Sequence, residues 1–116
     1  MAKDYTTTLP EDSAGNPIPC LGVLPAGGQK VAVTAASART AVDFKKDTQV
    51  VSLYATEGMY LEFGDATVTA LTTTSFFFAK GIYKDIAVND RNENKMLRVA
   101  AIRATADGVL YVHERM

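Results

Sequence analysis

From Gln29 onward the apolar and polar residues of this chain alternate with a period close to two. Strand side chains point to opposite faces of a sheet in turn, so this period selects half-buried β-strands and excludes long helices. Seven segments carry it. Residues 30–35 (KVAVTA) hold two valines in phase. Residues 48–56 (TQVVSLYAT) set Val51, Leu53 and Ala55 against Val50, Ser52 and Tyr54. Residues 59–63 (MYLEF) set Met59, Leu61 and Phe63 against Tyr60 and Glu62, and residues 66–71 (ATVTAL) alternate through Thr67 and Thr69. Residues 82–88 keep Ile82, Ile86 and Val88 in phase, and residues 97–105 keep Leu97, Val99 and Ala101 in phase. Residues 108–114 set Leu110 and Val112 against Val109, Tyr111 and His113. β-Branched and aromatic side chains, which fit a pleated surface, dominate these stretches. Turn pairs separate them: Glu57-Gly58, Gly64-Asp65, Lys80-Gly81 and Asp107-Gly108. Residues 35–46 fit either one helical turn or a strand pair, and the polar run 89–95 reads as a loop. Seven or eight short strands with this punctuation predict an all-β fold, either a single antiparallel β-sandwich of jelly-roll type or a small barrel.

The first 28 residues are different. They hold all four prolines (Pro10, Pro17, Pro19, Pro25) and four of the eight glycines. Proline fixes φ and donates no backbone hydrogen bond, so this stretch suits neither a helix nor a central strand. It reads as an extended N-terminal arm, residues 1–28, before a β-domain of residues 29–116. The arm is not purely polar, because Ile18, Cys20, Leu21, Val23 and Leu24 cluster in it. Apolar anchors of this kind predict docking onto the domain or onto a neighbour.

The chemical toolkit is small. The chain has 116 residues, enough for one domain, with 12 basic and 13 acidic side chains and a net charge of −1. Nucleic-acid binders need a basic face, so none is expected as a partner. One Cys and one His exclude an intrachain disulfide framework and a Cys-based zinc cage. No run of 18 apolar residues is present and the N-terminus does not read as a signal peptide, so no membrane partner is expected. Residues 90–94 (DRNEN) copy the opening of a calcium loop, but Lys95 replaces its glycine and Ala101 its bidentate glutamate. Pro25-Ala26-Gly27-Gly28 lacks the Lys-Ser/Thr of a phosphate loop and reads as a junction. His113 alternates with core residues, and spacing offers it no nucleophile with an orienting third group. The expectation is a protein without enzymatic activity, metal or cofactor.

The most unusual local feature is Phe76-Phe77-Phe78. Three consecutive aromatic residues on a strand place rings on both faces, so at least one lies outside a one-sided core. Tyr54, Tyr60, Tyr83 and Tyr111 add amphipathic rings suited to interfaces or to stacking on sugars. The interface residues expected from these signals are Ile18, Leu21, Val23, Leu24, Phe76, Phe77, Phe78 and Tyr83.

The layout of residues 31–114 resembles a group of small structural proteins encoded by tailed phages and prophages. The residues that carry the likeness are VTAASART (33–40), MYLEFG (59–64), ATVTALTTTS (66–75), FFFAKGIYKDIAV (76–88) and AAIRATADGVLYVHE (100–114). The resemblance implies a compact β-sandwich serving as a virion component. Its partners would be the major capsid protein and copies of itself, as a dimer or trimer. It would be made in the host bacterial cytoplasm and sit on the capsid exterior as a decoration (cement) protein. Two other roles fit the residues: an accessory part of the head–tail neck, tail or fibre base, and a carbohydrate-binding module using its tyrosines.

Overall fold

The structure is a computed structural model that describes residues 13–15, 21–89 and 96–115. The described residues form eight strands: β1 (Val23–Val33), β2 (Ala38–Arg39), β3 (Val50–Ala55), β4 (Met59–Gly64), β5 (Phe76–Phe78), β6 (Tyr83–Ala87), β7 (Arg98–Arg103) and β8 (Gly108–Arg115). No helix occurs among the described residues. The strands make two four-stranded sheets, ordered β1-β8-β3-β6 and β2-β7-β4-β5, with every neighbour antiparallel.

The pairing follows one rule. β1 pairs with β8, β2 with β7, β3 with β6 and β4 with β5, so the second half of the chain retraces the first in reverse. Two further pairings, β3 with β8 and β4 with β7, lay these ribbons side by side. A long hairpin rolled in this way is an eight-stranded jelly roll. The sheets keep their edges at β1, β6, β2 and β5, so the molecule is an open sandwich and the barrel alternative is discarded.

The core lies where the in-phase residues of the two sheets meet. Val31, Val33, Val51, Leu53, Ala55, Leu110 and Val112 enter from the first sheet, and Met59, Leu61, Phe78, Val99 and Ala101 from the second; all are buried. Each buried valine, leucine or phenylalanine contributes about 1.5–3 kcal/mol relative to an exposed one. At one end Glu114 also points inward and is buried, with its Oε1 accepting from the Lys45 amide and the Thr48 hydroxyl, both at 2.6 Å. These bonds satisfy the carboxylate and pin the segment that carries the buried Phe44 ring to the end of β8.

Three segments depart from the sequence expectation. Residues 66–71 alternate like a strand but form none. Asp65 Oδ1 accepts from the Thr67 amide (2.8 Å) and hydroxyl (2.7 Å), which turns the chain before a ladder can start. These two bonds, the hydroxyl first, hold the Asp65 carboxyl below its ordinary value. Residues 35–46 contain neither a helical turn nor a strand pair, only the two-residue β2. The first strand begins at Val23 and not near Gln29, so residues 23–28, read as the end of the arm, belong to β1. They belong to it irregularly. Val23 faces Arg115 and Gly28 faces His113, so the intervening residues of β1 bulge out of register. Ala26 takes a positive φ of 59° in this bulge. β1 is an edge strand, where Pro25 costs no ladder bond that a neighbour needs.

Candidate functional site

Register decides which exposed side chains become neighbours. On the outer side of the β1-β8-β3-β6 sheet, Lys30 pairs with Tyr111, Tyr111 with Tyr54, and Tyr54 with Tyr83. One row across all four strands therefore reads Lys30, Tyr111, Tyr54, Tyr83. The next row, by the same pairings, reads Gly28, His113, Ser52, Asp85. Arg115 follows His113 two residues along β8 on the same face. All of these residues except Asp85, which stands behind Ser52 and Arg115, line a cavity of about 520 Å³, inside the roughly 300–1,000 Å³ range of small-molecule sites.

The tyrosines form an inclined aromatic floor. The Tyr54 and Tyr111 ring centroids lie 6.4 Å apart with a 44° angle between planes, and the Lys30 ammonium sits 5.7 Å from the Tyr111 centroid. Beside them runs a polar wall. Arg115 Nη1 donates to the Ser52 hydroxyl (2.8 Å) and to the Tyr83 hydroxyl (2.7 Å), and lies 3.8 Å from Asp85 Oδ1. The Ser52 hydroxyl donates in turn to Asp85 Oδ1. Arg115 Nε donates to the Gly22 carbonyl at 2.8 Å, which fixes the guanidinium from behind. The wall is thus held in place by its own bonds before any ligand arrives.

His113 is placed by the β1 bulge. Its Nε2 lies 3.0 Å from the Leu24 carbonyl oxygen. A carbonyl can only accept, so Nε2 carries the proton. A Cβ at Gly28 would come within 3.0 Å of His113 Nδ1, so the glycine opposite allows the ring to lie across the strand pair. His113 thus lies on the outer face, off the core as its alternation with Leu110 and Val112 implies, and is half-buried there as an anchor of the bulge. Among the described residues no group of three or more His, Cys, Asp or Glu could hold a metal ion.

The residues expected at interfaces separate into two regions. Leu21 and Val23 are exposed and Leu24 is half-buried, all at the start of edge strand β1. Phe76, Phe77 and Phe78 form β5, the edge of the other sheet. Phe78 is buried, whereas Phe76 and Phe77 are 51% and 52% exposed. Phe77 meets Tyr60 edge-on at 5.4 Å. Tyr83, grouped with the phenylalanines by sequence, lies instead on β6 in the opposite sheet. Ile18, Cys20 and the calcium-like segment 90–95 lie outside the described residues.

Sequence reasoning placed Ser52 and Tyr54 on one face of a strand, and Tyr111 and His113 on one face of another. The alignment of those faces into one row was not accessible, because it depends on pairings between segments far apart in the chain. No helix among the described residues is long and apolar enough to cross a membrane. The chain matches no protein-family model, curated protein or solved structure.

Proposed function

We propose that the protein is a non-enzymatic structural component of a tailed-phage virion. In this reading it is a decoration protein that binds and stabilises the shell of the major capsid protein from outside. The layout of residues 31–114 motivates the reading, and the separation of two exposed apolar regions on one rigid jelly roll carries it. Phe76 and Phe77 crown one sheet edge, while Leu21 and Val23 lead into the edge of the other. A cement protein needs contacts to at least two neighbours at once, and two remote apolar edges on a stiff body provide them. Repetition over a symmetric shell turns modest contacts into strong attachment. Jelly rolls recur in capsid and lectin domains, which agrees with the reading only by analogy of fold.

The test is quantitative mass spectrometry and electron microscopy of purified particles. Hundreds of copies on the shell are expected. Copies in multiples of six or twelve at one vertex instead place the protein at the neck or tail, and its absence from particles overturns the reading. A chain carrying Leu21→Asp and Val23→Asp, both exposed positions, is expected to fold but to lose shell binding. Undiminished binding removes the arm from the account.

A further inference from the structure

The tyrosine row takes no part in the two apolar edges, and its chemistry differs from theirs. We propose that the outer face of the β1-β8-β3-β6 sheet is a saccharide-binding site, with the sugar ring stacked on Tyr54 and Tyr111 and its hydroxyls bonded to Asp85, Arg115 and Tyr83. The proposal is independent of where the protein resides, since it rests only on this face.

Three observations select the ligand. First, the floor is aromatic and inclined. Tyr54 and Tyr111 are each about two-fifths exposed, with rings near enough for one pyranose to touch both. Sugar rings carry apolar C–H faces that match an aromatic face.

Second, the wall presents donors and acceptors together. Arg115 donates, Asp85 accepts, and the Tyr83 and Ser52 hydroxyls do both. A sugar hydroxyl also donates and accepts, so adjacent hydroxyls can engage an adjacent carboxylate and guanidinium. Only Oδ1 of Asp85 is engaged within this network, and the side chain is 43% exposed.

Third, Arg115 is paired with a carboxylate, while Lys30, the second cation of the face, sits against the Tyr111 ring. Asp85 stands beside Arg115, so a phosphate or a nucleic-acid backbone brought to the wall meets a carboxylate. A neutral polyol meets no such repulsion. The face also needs little reorganisation on binding: Arg115 is fixed by Gly22, Ser52 and Tyr83, and His113 by Leu24.

Because Phe76, Phe77 and Tyr60 belong to the other sheet, the face stays accessible while the β5 edge is engaged, whereas Val23 borders the cavity itself.

The full-length protein is assayed on an array of purified bacterial O-chain and capsular polysaccharides, and by calorimetry with soluble glucan hexaoses. Saturable binding to at least one neutral saccharide is expected. Tyr54→Ala and Tyr111→Ala are each expected to weaken it roughly tenfold, the upper range for loss of an aromatic contact. Tyr54→Phe, which keeps the ring, is expected to bind normally. Tyr83→Phe, which removes the hydroxyl, is expected to weaken binding less than ring removal does. Phe77→Ala on the other sheet is the control and is expected to bind normally. Unchanged thermal midpoints exclude unfolding as the cause. Absence of binding to every saccharide tested, or binding that survives loss of both rings, overturns the proposal.

Discussion

The two sheets of this jelly roll share one core but treat their outer faces differently. The outer face of β2-β7-β4-β5 is covered around Ala100 by the chain itself, while Phe77 stays exposed on it. Arg39 on β2 donates from Nε to the Val68 carbonyl (3.0 Å) and from Nη1 to the Ala66 carbonyl (3.1 Å). The Ser37 hydroxyl accepts from the Ala70 amide, and the Ser75 hydroxyl donates to Glu62 on β4, both at 2.9 Å. Ala100, between Arg39 and Glu62 in the register, is therefore fully buried although it points away from the core. Among the described residues the outer face of β1-β8-β3-β6 has no such cover and shows its tyrosines. One chain thus uses a threonine-rich loop to close part of one face and, among the described residues, leaves the tyrosine row of the other open.

Four substitutions probe this difference. Ala100→Leu overpacks the covered face and should cost about 2 kcal/mol in urea unfolding. Tyr54→Leu on the open face should cost less than about 1 kcal/mol. Equal losses would show that the two faces are equally exposed in solution. Arg39→Ala should cost about 1 kcal/mol. It should also speed amide exchange across residues 66–75 while β3 and β8 keep their protection. Exchange that rises equally in both sheets would mean that the loop is not a separate cover. The smallest effect concerns Asp65, which is solvent-exposed and whose carboxyl is held below 3.8 by Thr67. A depressed folded-state pKa contributes stability above the unfolded value, and that contribution fades as pH falls through the folded value. Unfolding midpoints measured from about pH 5 to about pH 2 should therefore drop slightly less in Asp65→Asn than in the parent. Identical slopes would assign the Asp65–Thr67 turn no role in holding the cover.

The division between what was legible in the sequence and what was not follows the range of the interactions. Alternation correctly gave the buried faces of β3, β4 and β8, because Val51, Leu53, Ala55, Met59, Leu61, Leu110 and Val112 each report on their own strand. It failed at Thr67 and Thr69, where a period-two pattern coexists with an aspartate that captures the backbone two residues on. It failed again at Ala100, whose burial on the wrong side requires a loop thirty residues earlier in the chain. Proline and glycine correctly marked residues 25–28 as irregular, but the irregularity is a bulge within a strand and not a hinge before one. The tyrosine row was visible only as four separate rings. Joining Tyr83, Tyr54 and Tyr111 requires pairings of β6 with β3 and of β3 with β8, and no local rule supplies these.

The reversed pairing of the two halves has a kinetic consequence. Only β4 and β5 are close neighbours in sequence among the pairs of the rolled hairpin, and Val23 must find Arg115 across almost the whole described chain. Each successive ribbon closes a larger loop before its contacts repay the lost chain entropy. Folding is then expected to be slow, in the millisecond-to-second range of strand-rich domains with distant contacts. The β1–β8 ribbon would zip last, and until it does β8 presents an unpaired edge to other chains. A pulse-labelling experiment that finds β1 protected before β4 and β5 would reverse this order.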